Sequence, residues 1–116
     1  MMRSLAVMSG VPDTSGYRPP RFEVASENVD GTILLRLIGE LDLVSEPVLA
    51  DALAQGDGHP LRIDLSELAF MDSTGLRALL GLQREHRDVK LRGPLQPAVQ
   101  RLLELTQTLT ILPFET

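Results

Sequence analysis

The chain has no cysteine, no tryptophan, a single tyrosine, three phenylalanines and a single lysine, Lys90, among its 116 residues. Without cysteine there is no disulfide, no thiol nucleophile and no thiolate metal site, as fits a reducing compartment. With so few aromatics the core must be aliphatic, and no stacking platform for single-stranded nucleic acid is available. Sixteen acidic residues outnumber eleven basic ones, for a formal net charge of -5. Binding to phosphate backbones needs clustered Lys and Arg, so nucleic acid is not an expected partner. No apolar run approaches the roughly 20 residues that cross a bilayer as a helix. The opening MMRSLAVMSG holds only a four-residue apolar patch, too short for a signal peptide. No membrane insertion is expected.

What is present is 43% apolar and long enough for one core. Residues 1–20 read as a flexible tail. Their SGVPDTSGYRPP is rich in Ser, Gly and Pro and has no apolar period. Met8 is an alternative start. The folded domain is expected over 21–116.

From Arg21 the pattern is regular. RFEV predicts a short antiparallel edge strand. TILLRLIGEL puts Ile33, Leu35 and Leu37 on one strand face, and the turn residues NVDG before it predict a hairpin. Ser45 to Gln55 reads as a helix with Ser45 as cap, Pro47 in its first turn, and Val48, Leu49, Ala52 and Leu53 as its stripe. LRIDL predicts a central strand with SELAFMD as its exit loop. A helix is expected from Ser73 to about His86, then a strand VKLRG, a helix from Pro94 to Thr106 and a last strand in TLTILPF. The order β, β, α, β, α, β, α, β predicts an α/β fold with a mostly parallel mixed sheet and crossover helices. Two loops then lie beyond carboxyl ends of strands, where such sheets carry their sites. They are GELDLVS and SELAFMDST.

In Asp72-Ser73-Thr74-Gly75 the simplest reading is a helix cap by Asp72 or Ser73, worth about 1 kcal/mol. Three catalytic readings fail. A hydrolase elbow needs G-x-S-x-G and a His partner, whereas Met71 stands where the first Gly belongs, and only His59 and His86 are present. An aspartic protease needs Asp-Thr-Gly or Asp-Ser-Gly in a β scaffold, whereas an extra residue separates Asp72 from Gly75. A P-loop needs Gly-Lys-Ser/Thr, and Lys90 sits inside a predicted strand. Anion handling remains. Free N–H groups at a helix start suit a phosphate, and a phosphoserine adds about -1.5 to -2 charges at pH 7.

The segment LRIDLSELAFMDSTGLRALL resembles the signature of STAS domains, specifically bacterial anti-sigma factor antagonists. GELD, Gly39 to Asp42, resembles the family's first loop, and VKLRGP is also similar. The resemblance runs from about Phe22 to Phe114. It implies a STAS-type sheet of 4–5 strands and a cytoplasmic, non-enzymatic bacterial regulator of transcription. Such a protein binds an anti-sigma factor that is itself a serine/threonine kinase and so frees a sigma factor. The kinase then phosphorylates the antagonist, which lets go, and a phosphatase resets it. By position the acceptor is Ser73, with Thr74 the neighbouring alternative. The implied partner-binding residues are Asp72, Thr74, Gly75, Leu76, Arg77, Asp42 and Glu40, with Leu76 partly exposed. No catalytic group, metal or cofactor belongs to this chain, which is expected as a monomer or weak dimer when free. The alternative is a constitutive STAS subunit of a transporter or other signalling complex. Many relatives carry a small residue where this chain has Arg77, four residues after Ser73 and on the same helix face, a place from which it can pair with a phosphoserine, select a particular kinase, or simply be a solvated Arg. Asp64 is expected to make structural hydrogen bonds, His59 to sit in a turn and His86 near a helix end.

Overall fold

The computed structural model describes residues 21–115 and the backbone of Ser4–Ser9. Five strands form one sheet in chain order: β1 (Ser4–Ser9), β2 (Phe22–Val29), β3 (Thr32–Leu41), β4 (Leu61–Met71) and β5 (Val89–Arg92). β1 and β3 pair antiparallel with β2, while β4 pairs parallel with β3 and β5. The helices are α1 (Glu46–Gln55), α2 (Ser73–Leu80), α3 (Leu82–Glu85) and α4 (Pro97–Leu105). The α/β class and the mixed sheet with crossover helices are as the pattern predicts.

The β2–β3 hairpin closes on Asp30 and Gly31, both with positive φ (53° and 90°). Two left-handed central residues are what a two-residue hairpin turn requires. Asn28 supports the turn by accepting the Gly31 amide at 3.0 Å. Along the sheet the strand period of two sorts side chains by face. Val24, Leu35, Leu37, Leu61, Ile63, Val89 and Leu91 are buried on one face, with Leu49, Leu79, Val99 and Leu103 of the helices in the same cluster. Each such aliphatic contributes about 1.5–3 kcal/mol when fully buried. On the opposite face Arg36 lies across from Asp64, and Asp64 from Arg92. Arg36 approaches Asp64 at 3.8 Å and Glu67 at 3.4 Å, so this face stays polar.

Five expectations are corrected. Ser4–Ser9 form β1 within the expected tail, so β2 is not an edge strand; the remaining tail residues, 1–3 and 10–20, lie outside the described residues. SELAFM is not a loop but the second half of β4. Two register shifts, opposite Arg36 to Ile38 and Gly39 to Glu40, each take up one extra residue of β4 and let the two strands stay paired as far as Leu41 and Met71, while Asp64 accepts the Ser66 amide at 2.8 Å. The helix expected from Ser73 to His86 is broken at Gly81 into α2 and α3. The helix expected from Pro94 starts at Pro97, because Gln96 is extended and stands as its cap position. TLTILPF makes a single bridge, Phe114 to Leu91. The amides of Ile111 and Leu112 are already donated to Thr108, and Pro113 has none to give.

Candidate functional site

β3 and β4 end side by side, Leu41 opposite Met71. Just past that pair the Asp72 amide donates to the Leu41 carbonyl at 3.2 Å. The GELD and DSTG segments therefore leave the same sheet end from adjacent strands. Of the two candidate caps, Asp72 is the one used. Its Oδ1 accepts the Gly75 amide at 3.0 Å, and its carbonyl accepts the Leu76 amide at 3.0 Å. That leaves the Ser73 and Thr74 amides without a protein acceptor among the described residues. The Ser73 side chain is exposed at the first position of α2, and Thr74 is half-buried.

Gly75 sets how closely α2 sits on the sheet. A Cβ there would lie 2.7 Å from the Leu41 carbonyl oxygen and 3.0 Å from Met71 Cβ. The first turn thus packs on the end of β3 with no room for a side chain. Leu76 is 7% exposed and belongs to the core, which corrects its expected partial exposure. Gly75 is also buried. Arg77 is exposed and forms no ion pair among the described residues.

The first loop is built around Gly39, Asp42 and Ser45. Gly39 has φ 103°, and a Cβ there would come within 2.1 Å of the Arg21 carbonyl oxygen. That carbonyl accepts the Glu40 amide at 2.8 Å. The Arg21 guanidinium then bridges Glu40 at 2.6 Å and Asp42 at 3.4 Å. Asp42 Oδ1 accepts the Val44 amide at 3.1 Å and the Ser45 amide at 3.0 Å. The buried Ser45 hydroxyl accepts the Asp42 amide at 2.9 Å and lies 2.9 Å from the Glu40 carbonyl and 3.0 Å from Asp42 Oδ1. Ser45 stands at the start of α1 as expected, but its hydroxyl makes no cap bond to the helix; it locks the loop instead. The Ser45 amide holds the Asp42 carboxyl below its ordinary range against the opposing effect of partial burial, with the Ser45 hydroxyl, Arg21 and the Val44 amide adding to it.

This lock holds Leu43 and Val44 in water, 72% and 73% exposed. Phe70, beside Glu40 at the end of β4, is 45% exposed. Sequence reasoning missed all three, together with Arg21 as the bridge between two carboxylates. The available signal was a pair of aliphatics directly after an Asp able to fold the chain back onto its own carboxylate. The sheet end thus presents an exposed hydroxyl, exposed aliphatics and a rim of Glu40, Asp42 and Asp72.

Neither histidine can act on Ser73. His59 and His86 lie before β4 and β5, which begin together at the Leu61–Val89 pair. Ser73 follows the far end of the 11-residue β4, a strand roughly 35 Å long. His59 instead contacts the Gly31 carbonyl at 3.1 Å through Nδ1. Among the described residues no group of three His, Cys, Asp or Glu side chains is placed to hold a metal ion. No helix among them is long and apolar enough to cross a membrane.

This sheet, with an acid-capped helix start beside an acidic loop, is the architecture of a STAS domain. Residues 24–113 match the family model described as "Mlab, STAS domain", and the chain belongs to the STAS domain family. It is 32% identical over 83 residues to the anti-sigma-B factor antagonist of Bacillus subtilis (strain 168), across 66% of this chain and 75% of that protein. It is 37% identical over 75 residues to the anti-sigma-B factor antagonist of Listeria monocytogenes, across 59% of this chain and 65% of that one. Among solved structures it is similar to an anti-sigma factor antagonist from Mycobacterium paratuberculosis, with a TM-score of 0.69 and 29% identity over 80% of this chain and 85% of that one. It shares the fold of the anti-sigma factor antagonist SpoIIAA in its unphosphorylated form, with a TM-score of 0.63 and 24% identity over 80% of this chain and 88% of that one.

Proposed function

We propose that this chain is an anti-sigma factor antagonist, a cytoplasmic binding protein without catalysis of its own. Its partner is an anti-sigma factor with serine-kinase activity, and Ser73 is the residue that kinase modifies. The observation that carries the reading is the position of Ser73: exposed, directly after the capping Asp72, and joined through the Asp72–Leu41 hydrogen bond to the acidic loop. Capping is done by Asp72, so a phosphate on Ser73 disturbs no bond of the fold. The same phosphate adds about -1.5 to -2 charges to a face already bearing Glu40, Asp42 and Asp72. A partner matched to the unmodified face then meets a changed field, and release follows without unfolding. Leu43, Val44 and Phe70 supply apolar area for that partner to cover. A phosphatase restores the binding form.

The test is to incubate the protein with the kinase-type anti-sigma factor of the same organism and ATP, map the modification by mass spectrometry, and measure binding of Ser73→Ala and Ser73→Asp. The expected result is phosphate on Ser73, binding by Ser73→Ala and at least tenfold weaker binding by Ser73→Asp. A phosphate elsewhere, or equal binding by the two variants, overturns it. Recovery from cells in a stable complex with a transporter ATPase, insensitive to Ser73→Asp, would establish the constitutive-subunit reading instead.

A further inference from the structure

Arg77 is the charged side chain at this end of the molecule that neither the fold nor the proposed docking surface explains. It is exposed on α2 and makes no ion pair among the described residues. The sequence gives it no local partner either. On a helix the neighbours of residue 77 are 73, 74, 80 and 81, which are Ser73, Thr74, Leu80 and Gly81. None is acidic. Arg21 is matched to Glu40 and Asp42, Arg36 to Asp64 and Glu67, and Arg92 to Glu115. Arg84, Arg87, Lys90 and Arg101 are, like Arg77, exposed without an ion pair among the described residues, so what sets Arg77 apart is its place four residues after Ser73.

We propose that Arg77 is the internal counter-ion of phosphorylated Ser73, a positioning residue that binds the phosphate within α2. The proposal rests on the reading of Ser73 as the acceptor. Residues four apart on a helix bring their Cβ atoms to about 5–6 Å, and an anion N-terminal to a cation is the favoured order. A phosphoserine at 73 and the guanidinium of Arg77 meet both conditions. The phosphate also lies beside the Ser73 and Thr74 amides, which have no protein acceptor, whereas Gly75 is already taken by Asp72. The phosphate is thereby held against its own helix. Asp72 on the cap and Asp42 and Glu40 at the end of β3 oppose a second negative charge on the phosphate. Arg21, the other cation there, is engaged by Glu40 and Asp42. Arg77 is the cation left to offset them. The modified state is then ordered and discrete, and the dephosphorylating enzyme must displace Arg77 before it reaches the phosphate.

The test uses full-length protein with phosphoserine installed at 73 by genetic encoding, so that it needs no kinase. A phosphorus NMR titration gives the second pKa of the phosphate in the parent, in Arg77→Gln and in Arg77→Lys. The expected result is a value lower in the parent than in Arg77→Gln by about 0.15–0.4 units, restored in part by Arg77→Lys and shrinking in high salt. Hydrogen exchange of α2 should slow on phosphorylation in the parent and not in Arg77→Gln. Equal phosphate pKa values in the parent and Arg77→Gln overturn the proposal. Because the phosphoserine is installed by genetic encoding, failure of a kinase to modify Ser73 sinks the proposed function and leaves this result standing.

Discussion

The amide of Asp72 donates to the carbonyl of Leu41 at 3.2 Å, one residue past the last paired position of β3 and β4. That bond ties the cap of α2 to the root of the acidic loop. The two segments therefore lie side by side on one surface at this end of the sheet.

Asp72→Ala removes the acceptor for the Gly75 amide and should cost about 1 kcal/mol of stability. Asp72→Asn keeps an acceptor oxygen and should cost only a few tenths. Urea denaturation of both variants checks the difference; equal losses would mean that the cap bond carries little.

Gly75→Ala places a methyl 2.7 Å from the Leu41 carbonyl oxygen. The first turn of α2 must then lift from β3, at a cost of about 1–3 kcal/mol. Gly39→Ala should cost more, because a 2.1 Å approach to the Arg21 carbonyl oxygen is combined with a φ of 103°. The expected order of thermal midpoints is parent, Gly75→Ala, Gly39→Ala.

The Asp42 carboxyl is held below its ordinary value in the fold, first by the Ser45 amide. The unfolded chain therefore takes up the proton at a higher pH, near 3.9. The stability from this group is fully present above that pH and lost as pH falls through the lower folded value. Asp42→Asn should be less stable than the parent at pH 7, and the gap should narrow below about pH 4. A gap that stays constant from pH 7 to pH 2.5, followed by chemical denaturation, would remove Asp42 as its source.

Leu43→Ser with Val44→Ser changes two residues that are 72% and 73% exposed. Stability should move by no more than about 0.5 kcal/mol per site. Binding to the anti-sigma factor should weaken at least tenfold, mainly through faster dissociation. Calorimetry of the free variant and surface-plasmon kinetics of the complex give the two readings separately.

Much of this architecture is legible in the chain before it folds. The alternation in TILLRLIGEL, the turn chemistry of NVDG and the apolar spacing of the helices are local signals, because strand and helix periods are set by backbone geometry. The helix start at Ser73 was likewise visible in DSTG. The limit of β4 was not. SELAFM has the composition of a loop and becomes a strand because β4 takes up one extra residue at each of two register shifts and so stays alongside β3. The last segment failed in the other direction: TLTILPF has strand composition, yet its amides are spent on Thr108 before a partner strand is reached.

By itself the sequence determined the class of fold, the position of the hydroxyl that follows Asp72, and the family resemblance, since each depends on residue order over short spans. Only the tertiary structure decided that Asp72 and not Ser73 is the cap, that Leu76 is core, and that Leu43 and Val44 stand in water. It also decided that Ser45 locks the loop and that Arg21 joins Glu40 to Asp42. The Asp72 cap and the Ser45 lock are contacts over three to five residues, chosen among several local groups able to make them, whereas the Arg21 bridge depends on which groups meet across β3 and the chain before β2. Contacts between residues about 20 to 30 positions apart leave no period for a local reading to detect.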